Sequence, residues 1–228
     1  MRVLYFAGLL LLLAACDDPE IDFARQFPPS AASLTAFPAR HQGVYIPGAD
    51  SSQRLFVTAQ VVYEELFRSR QVARRLLDSL QIPAAGRVSG QWYPHPQGRY
   101  RLRPVQPEPI DSVWLDRWVP DTLCNLRPGG RSVVRWFKGA YYLNEPLTFL
   151  ISPDRWHVQR LVMSGRQMRL QYLSRDTAGL AALPPGVAVR TTQTGRTYWL
   201  LNPVTPRQER QIARREDLWE TQLILDKR

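Results

Sequence analysis

The feature that most constrains this chain is a succession of short segments in which apolar residues recur at every second position. A strand sends successive side chains to opposite faces, so this period means half-buried sheet rather than helix. Residues 99–104 alternate, and 112–119 set Val113, Leu115 and Val119 against Trp114 and Trp118. Segments 132–143, 156–163, 167–173, 187–192 and 197–201 follow the same rule. Between them stand Pro128-Gly129-Gly130, Asn144-Glu145-Pro146, Ser164-Gly165, Pro184-Pro185-Gly186 and Thr194-Gly195, residue types that favour turns. Ser164-Gly165 is short enough for a hairpin. The expected fold is mainly β, an antiparallel meander closing as a barrel or a sandwich.

Two regions depart from plain alternation. Residues 54–67 place Val57, Ala59, Val61, Tyr63 and Phe67 on one side of a strand, and the β-branched content favours strand to about Arg70. The competing stripe of Val62, Leu66, Ala73, Leu76 and Leu80 allows a helix over 60–81, which would make the fold α+β. Near the end, Thr205-Pro206-Arg207-Gln208 offers a hydroxyl cap, proline at the first helical position and glutamine to close a capping box. A short helix to Glu216 is expected there, followed by a closing strand over 219–225.

The first residues carry the most specific chemistry. Met1-Arg2 supplies one positive charge, Val3 to Leu13 is an apolar run of eleven, and Leu13-Ala14-Ala15-Cys16 ends it. A charged start, a short apolar run and small residues before a cut describe a signal peptide, and a bilayer core needs about twenty apolar residues to cross. The tetrad resembles the lipobox of bacterial lipoproteins. The resemblance implies cleavage between Ala15 and Cys16, a diacylglycerol thioether on the Cys16 thiol and further acylation, palmitate among the acyl groups, at the new amino terminus. Asp17, Asp18, Glu20 and Asp22 then put four acids in six residues. Such a start resembles an inner-membrane retention signal in one group of bacteria and an outer-membrane surface signal in another. Outer membrane is the expectation and the periplasmic face of the inner membrane the alternative. Residues 16–40, with Pro19, Pro28, Pro29 and Pro38, read as a lipidated tether, and 41–228 as a single β-rich domain. The stretch 121–156 resembles uncharacterised β-rich bacterial envelope lipoproteins, a likeness that implies no activity.

The formal charge is +10, yet of the thirty basic residues only Lys138 and Lys227 are lysine. Arginine in place of lysine, with little asparagine, is what codon bias yields without a phosphate partner. No run of five or six basic residues, RNA-binding aromatic signature or zinc-finger spacing occurs, so nucleic acid is not an expected partner. No linear motif names a nucleophile, P-loop or metal site. His41, His95 and His157 are isolated, with His95 between prolines and expected to face solvent; Asp154 is the near acid to His157. Glu64-Glu65 and Glu216-Asp217 imitate a glycosidase pair, but neighbours in a strand point to opposite faces. Cys124 reads as a buried inert thiol. Trp114 and Trp118 share a face of one strand and are the candidate ring platform for an envelope glycan. No cofactor or metal is expected. The functional expectation is a lipid-anchored envelope protein that binds or scaffolds a glycan or protein partner; the alternative is a periplasmic or surface hydrolase of glycans or lipids.

Overall fold

The structure is a computed structural model, and it describes residues 20–48, 52–82, 88, 90–105, 111–147, 155–193 and 196–228. The strands are β1 (Glu20–Phe23), β2 (Ser33–Leu34), β3 (Gly43–Pro47), β4 (Gln53–Val57), β5 (Val61–Ala73), β6 (Tyr93–His95), β7 (Gly98–Pro104) and β8 (Ser112–Asn125). After them come β9 (Val133–Phe137), β10 (Ala140–Pro146), β11 (Trp156–Ser164) and β12 (Gln167–Leu173). Helix α1 (Thr177–Ala181), β13 (Ala188–Gln193), β14 (Arg196–Leu201), helix α2 (Pro206–Arg214) and β15 (Trp219–Lys227) complete the order. The fold is mainly β and antiparallel, as the alternation requires. The chain divides into two compact units.

The first unit comprises residues 20–35, Gly129–Met163 and Arg169–Leu223 as far as they are described. Its strands run β13-β14-β1-β11-β12-β15, with β10, β9 and β2 branching from β11. The pair β1 and β14 is parallel, Glu20 opposite Tyr198. This corrects the tether reading from Glu20 onward. Ile21, Phe23 and Phe27 belong to the core with Tyr142, Leu201, Ile212 and Trp219. Phe23 stacks on Phe27 at 4.7 Å, and Phe27 meets the edge of Tyr142 at 5.0 Å. Asn144 clamps the Phe27 backbone: its Oδ1 accepts from the Phe27 N–H at 2.6 Å and its Nδ2 donates to the Phe27 carbonyl at 2.9 Å. Prolines suggested a spacer, but three buried apolar side chains within seven positions make a packed segment.

Helix α2 opens with the expected capping box, Thr205 with Gln208, and Pro206 at its first turn. Its end is satisfied from outside the helix. Arg160, 2% exposed, donates from Nη1 to the Ala213 carbonyl at 2.9 Å, and Trp219 Nε1 donates to the Ile212 carbonyl at 3.1 Å. These are carbonyls for which a helix has no internal donor. The same guanidinium reaches Gln171 Oε1 at 2.7 Å and Glu216 at 3.0 Å, and lies 4.9 Å from the Trp219 ring centroid.

The second unit comprises Ala36–Pro128, Ser164–Met168 and Ile224–Arg228 as far as they are described. Its strands run β3-β4-β5-β8-β7-β6, all antiparallel, with the end of β15 on β3. β5 is a strand bonded on both edges, to β4 and to β8, which overturns the helical alternative for 60–81. Two ladders of backbone hydrogen bonds outweigh a stripe whose member Leu76 is left exposed. One face of β7 and β8 buries Tyr100, Leu102, Val113 and Leu115 with Val72, Leu77 and Ile82. In neither unit does the strand path return on itself among the described residues, so the barrel alternative falls and an open sheet or sandwich stands.

Two measurements test the packing of the first unit. Phe27→Ala should cost about 3–5 kcal/mol in urea unfolding, as for a core aromatic, whereas a tether residue would cost almost nothing. Asp22 is buried, with Arg155 Nη1 3.9 Å away. Burial, opposed by Arg155 and reinforced by Glu20, lifts its pKa from 3.8 to about 6. A raised acid pKa means the folded state binds the proton more tightly, so stability falls as pH rises from about 4 through about 6. Asp22→Asn should therefore gain on the order of 1–2 kcal/mol over the parent at pH 8, and little at pH 4.

Candidate functional site

The face of the second unit opposite that core is built from three cross-strand rows. Phe67, Trp118 and Arg99 form the first, Ser69, Asp116 and Arg101 the second, and Gln71, Trp114 and Arg103 the third. Their register depends on a glycine. Gly98 begins β7 at φ +109°, and a Cβ there would stand 2.0 Å from the Trp118 carbonyl oxygen. Only a residue without a side chain lets β7 start against β8 at this point. Every second residue then points outward, and three of them are arginine.

Asp116 is the hub of the middle row, with no side-chain exposure. Its Oδ2 accepts from Arg101 Nε at 2.7 Å and Arg103 Nε at 2.6 Å, while Oδ1 accepts from Arg103 Nη2 at 3.1 Å and Ser69 Oγ at 2.5 Å. Burial alone would raise the Asp116 pKa; the hydrogen bonds from Arg103, Ser69 and Arg101 reverse that and hold it at about 2. The Asp116 bond in turn raises the pKa of Arg103. One carboxylate thus serves two guanidiniums.

The first row is a stack. The Arg54 guanidinium sits 4.3 Å from the Trp118 ring centroid and that of Arg99 at 5.5 Å, with Phe67 at 5.4 Å. Trp92 lies alongside, 4.8 Å from the Arg101 guanidinium and 5.4 Å from that of Arg99. Arg99 pairs loosely with Glu65 at 3.6 Å. Arg54 Nε, Arg99 Nε and Glu65 Oε2 are buried without a hydrogen-bond partner. Arg54 lies opposite Glu65, so among the described residues the face holds four arginines against two carboxylates.

The tryptophans expected as a platform do share this face, but they are not equivalent. Trp118 is 6% exposed and its ring is covered, so it offers no open surface to a sugar. Trp114 is half-buried, 6.0 Å from the Arg103 guanidinium. The outermost groups are guanidiniums: the side chains of Arg99, Arg101 and Arg103 are 39%, 30% and 41% exposed. The sequence carried this as Arg99-Tyr100-Arg101-Leu102-Arg103, a period-two arginine ladder that a count of dispersed charge passes over. Trp92 left no comparable signal, since it precedes β6 and reaches the face through the chain's fold.

The remaining candidates are scattered. Ala15, Cys16 and Asp154 lie outside the described residues. Burial lowers the pKa of His157, and His41 sits in a short turn, its pKa lowered by burial and then by Arg40 and Lys227. His95, expected in solvent, packs edge-on against Tyr100 with its Nε2 buried. Glu64 accepts from Gln53 while Glu65 faces Arg99, and Glu216 takes Arg160 while Asp217 takes Arg215. Neither acid pair converges on one point. Cys124 is buried. Among the described residues no three His, Cys, Asp or Glu side chains gather as a metal site, and no helix is long and apolar enough to cross a membrane. Comparison of the chain with protein-family models, curated proteins and solved structures finds no match.

The lowered Asp116 pKa has a direct consequence. Its contribution to stability is complete above about pH 4 and is lost as pH falls through about 2. The stability difference between the parent and Asp116→Asn should therefore shrink by on the order of 1–2 kcal/mol between pH 5 and pH 2, read from urea melts.

Proposed function

We propose that the chain is a lipid-anchored protein of the cell envelope that serves as a binding or scaffolding module. The observation that carries the reading of attachment is the run Val3–Leu13 followed by Leu13-Ala14-Ala15-Cys16. Several acyl chains on one residue exceed the two-signal requirement for stable membrane attachment, at about 0.8 kcal/mol per buried methylene. A thioether on Cys16 leaves Cys124 as the one remaining thiol of the mature chain, and Cys124 is buried. Outer membrane is the proposed site of the anchor, with the periplasmic face of the inner membrane as the alternative; density separation of the two membranes distinguishes them, and protease shaving of intact cells reports the face.

What supports binding as the activity is the arginine-rich face of the second unit. Among the described residues its guanidiniums outnumber the carboxylates, and the side chains of Arg99, Arg101 and Arg103 are held in place while remaining 30–41% open to solvent. The partner class that suits such a surface is an anionic component of the envelope. The anchor has its own test. Cys16→Ser should abolish incorporation of labelled palmitate and release the protein from the membrane fraction. A variant that is still acylated and still sediments with membranes would overturn the reading.

A further inference from the structure

We infer that the row Arg99, Arg101 and Arg103 is a preorganised binding site for a linear acidic polysaccharide, one that carries carboxylates along its chain. The choice of a glycan rests on the envelope reading above; the site itself rests on geometry. Residues two apart on a strand repeat at roughly 6.6–6.8 Å, so the three side chains form a line of donors about 13 Å long rather than a pocket for one ion. A line of fixed donors suits a polymer with regularly spaced anions.

Preorganisation comes from Asp116. Arg101 and Arg103 both spend Nε on this one carboxylate, and Arg103 adds Nη2. Among the described residues, Arg101 uses neither terminal nitrogen and Arg103 leaves Nη1 unused, which keeps them for a ligand. A flexible arginine loses rotamer entropy when it binds; here the orientation is set before the ligand arrives. One carboxylate also cannot neutralise two guanidiniums, so a positive charge is left over at the centre of the row. Arg99 is placed by the rings of Trp92 and Trp118 and by Glu65, and its buried Nε has no acceptor.

The same geometry argues against single-stranded nucleic acid. Strands of bases bind on successive open aromatic faces. Trp118, at the end of the row, is covered by Arg54 and Arg99, and the half-buried Trp92 carries the guanidiniums of Arg101 and Arg99 against its ring, so these two rings are engaged by arginine rather than open to bases. The half-buried Trp114 beside Arg103 presents apolar surface at the other end, where a pyranose can pack its C–H face while its carboxylate meets the guanidinium.

The test uses the full chain in neutral detergent at about 0.15 M salt, where exposed charges are screened beyond about 8 Å. Oligogalacturonate of about eight sugars is titrated by calorimetry, with a neutral malto-oligosaccharide and an oligothymidylate of equal charge as comparators. Saturable binding of the uronate alone is expected. Arg101→Lys and Arg103→Lys keep the charge but lose the planar fork, and each should weaken binding about tenfold at a temperature where its own melting curve shows it fully folded. Asp116→Asn adds net positive charge, so an unstructured basic patch would bind more tightly; a preorganised site should bind about tenfold more weakly. The inference is overturned by no uronate binding, by equal or tighter binding of either comparator, or by lysine variants that bind like the parent. Should Asp116→Asn fail to fold, the lysine variants still decide. Because none of these readouts involves Cys16, failure here leaves the anchor untouched, and loss of the anchor leaves the uronate titration interpretable.

Discussion

A charge taken out of water must be repaid by protein groups, and each unit is organised around one such charge. Arg160 and Asp116 have almost no contact with solvent, and stripping an ion of its water costs several kcal/mol before any partner is supplied. The protein supplies them from distant parts of the chain. Arg160 gathers a strand residue, Gln171, the carbonyl end of α2 and Glu216, and rests on Trp219. Asp116 gathers β5 through Ser69 and β7 through Arg101 and Arg103. In both cases the buried ion ties together elements far apart in sequence. Removing it would orphan several polar groups at once.

The two ions differ in what they leave over. Arg160 donates to neutral acceptors and one carboxylate and is used up within the first unit. Asp116 is outnumbered, and its partners stand at the surface. The same strand that buries Tyr100 and Leu102 on one side carries the arginines on the other, so core packing and surface charge are coupled by the pleat. A shift of one residue at Gly98 would bury the arginines and expose the core residues. The steric block that a side chain would meet at the Trp118 carbonyl is what excludes other residues at that starting point.

Much of this was legible in the sequence. Alternation located β7, the start of β8, β11, β12 and β14 closely, because each buries one face and exposes the other. The capping box of α2 was readable because its chemistry is local. The segment at Glu20–Phe27 was not, since its burial depends on Asn144, Tyr142 and Trp219, more than a hundred residues away. Helix α1 escaped because it is one short turn-and-a-half capped by Asp176, with a single buried residue, Leu180. The division into two units was hidden for a related reason: each is assembled from separated stretches of chain, and no linker composition marks a boundary.

For the candidate site, the number of arginines misled where their spacing would have informed. A compositional habit explains why a basic residue is arginine rather than lysine, and it predicts nothing about where the residue falls. On β7 the arginines occupy every outward position of a strand whose inward positions are Tyr100 and Leu102. Solubility would need only that these positions be polar, and serine, threonine or glutamate would meet it. It does not require that two of them share one buried carboxylate through Nε, a bond that an ammonium group has no atom to make. The bias in composition and the order in space are therefore separate facts, and only the second bears on function.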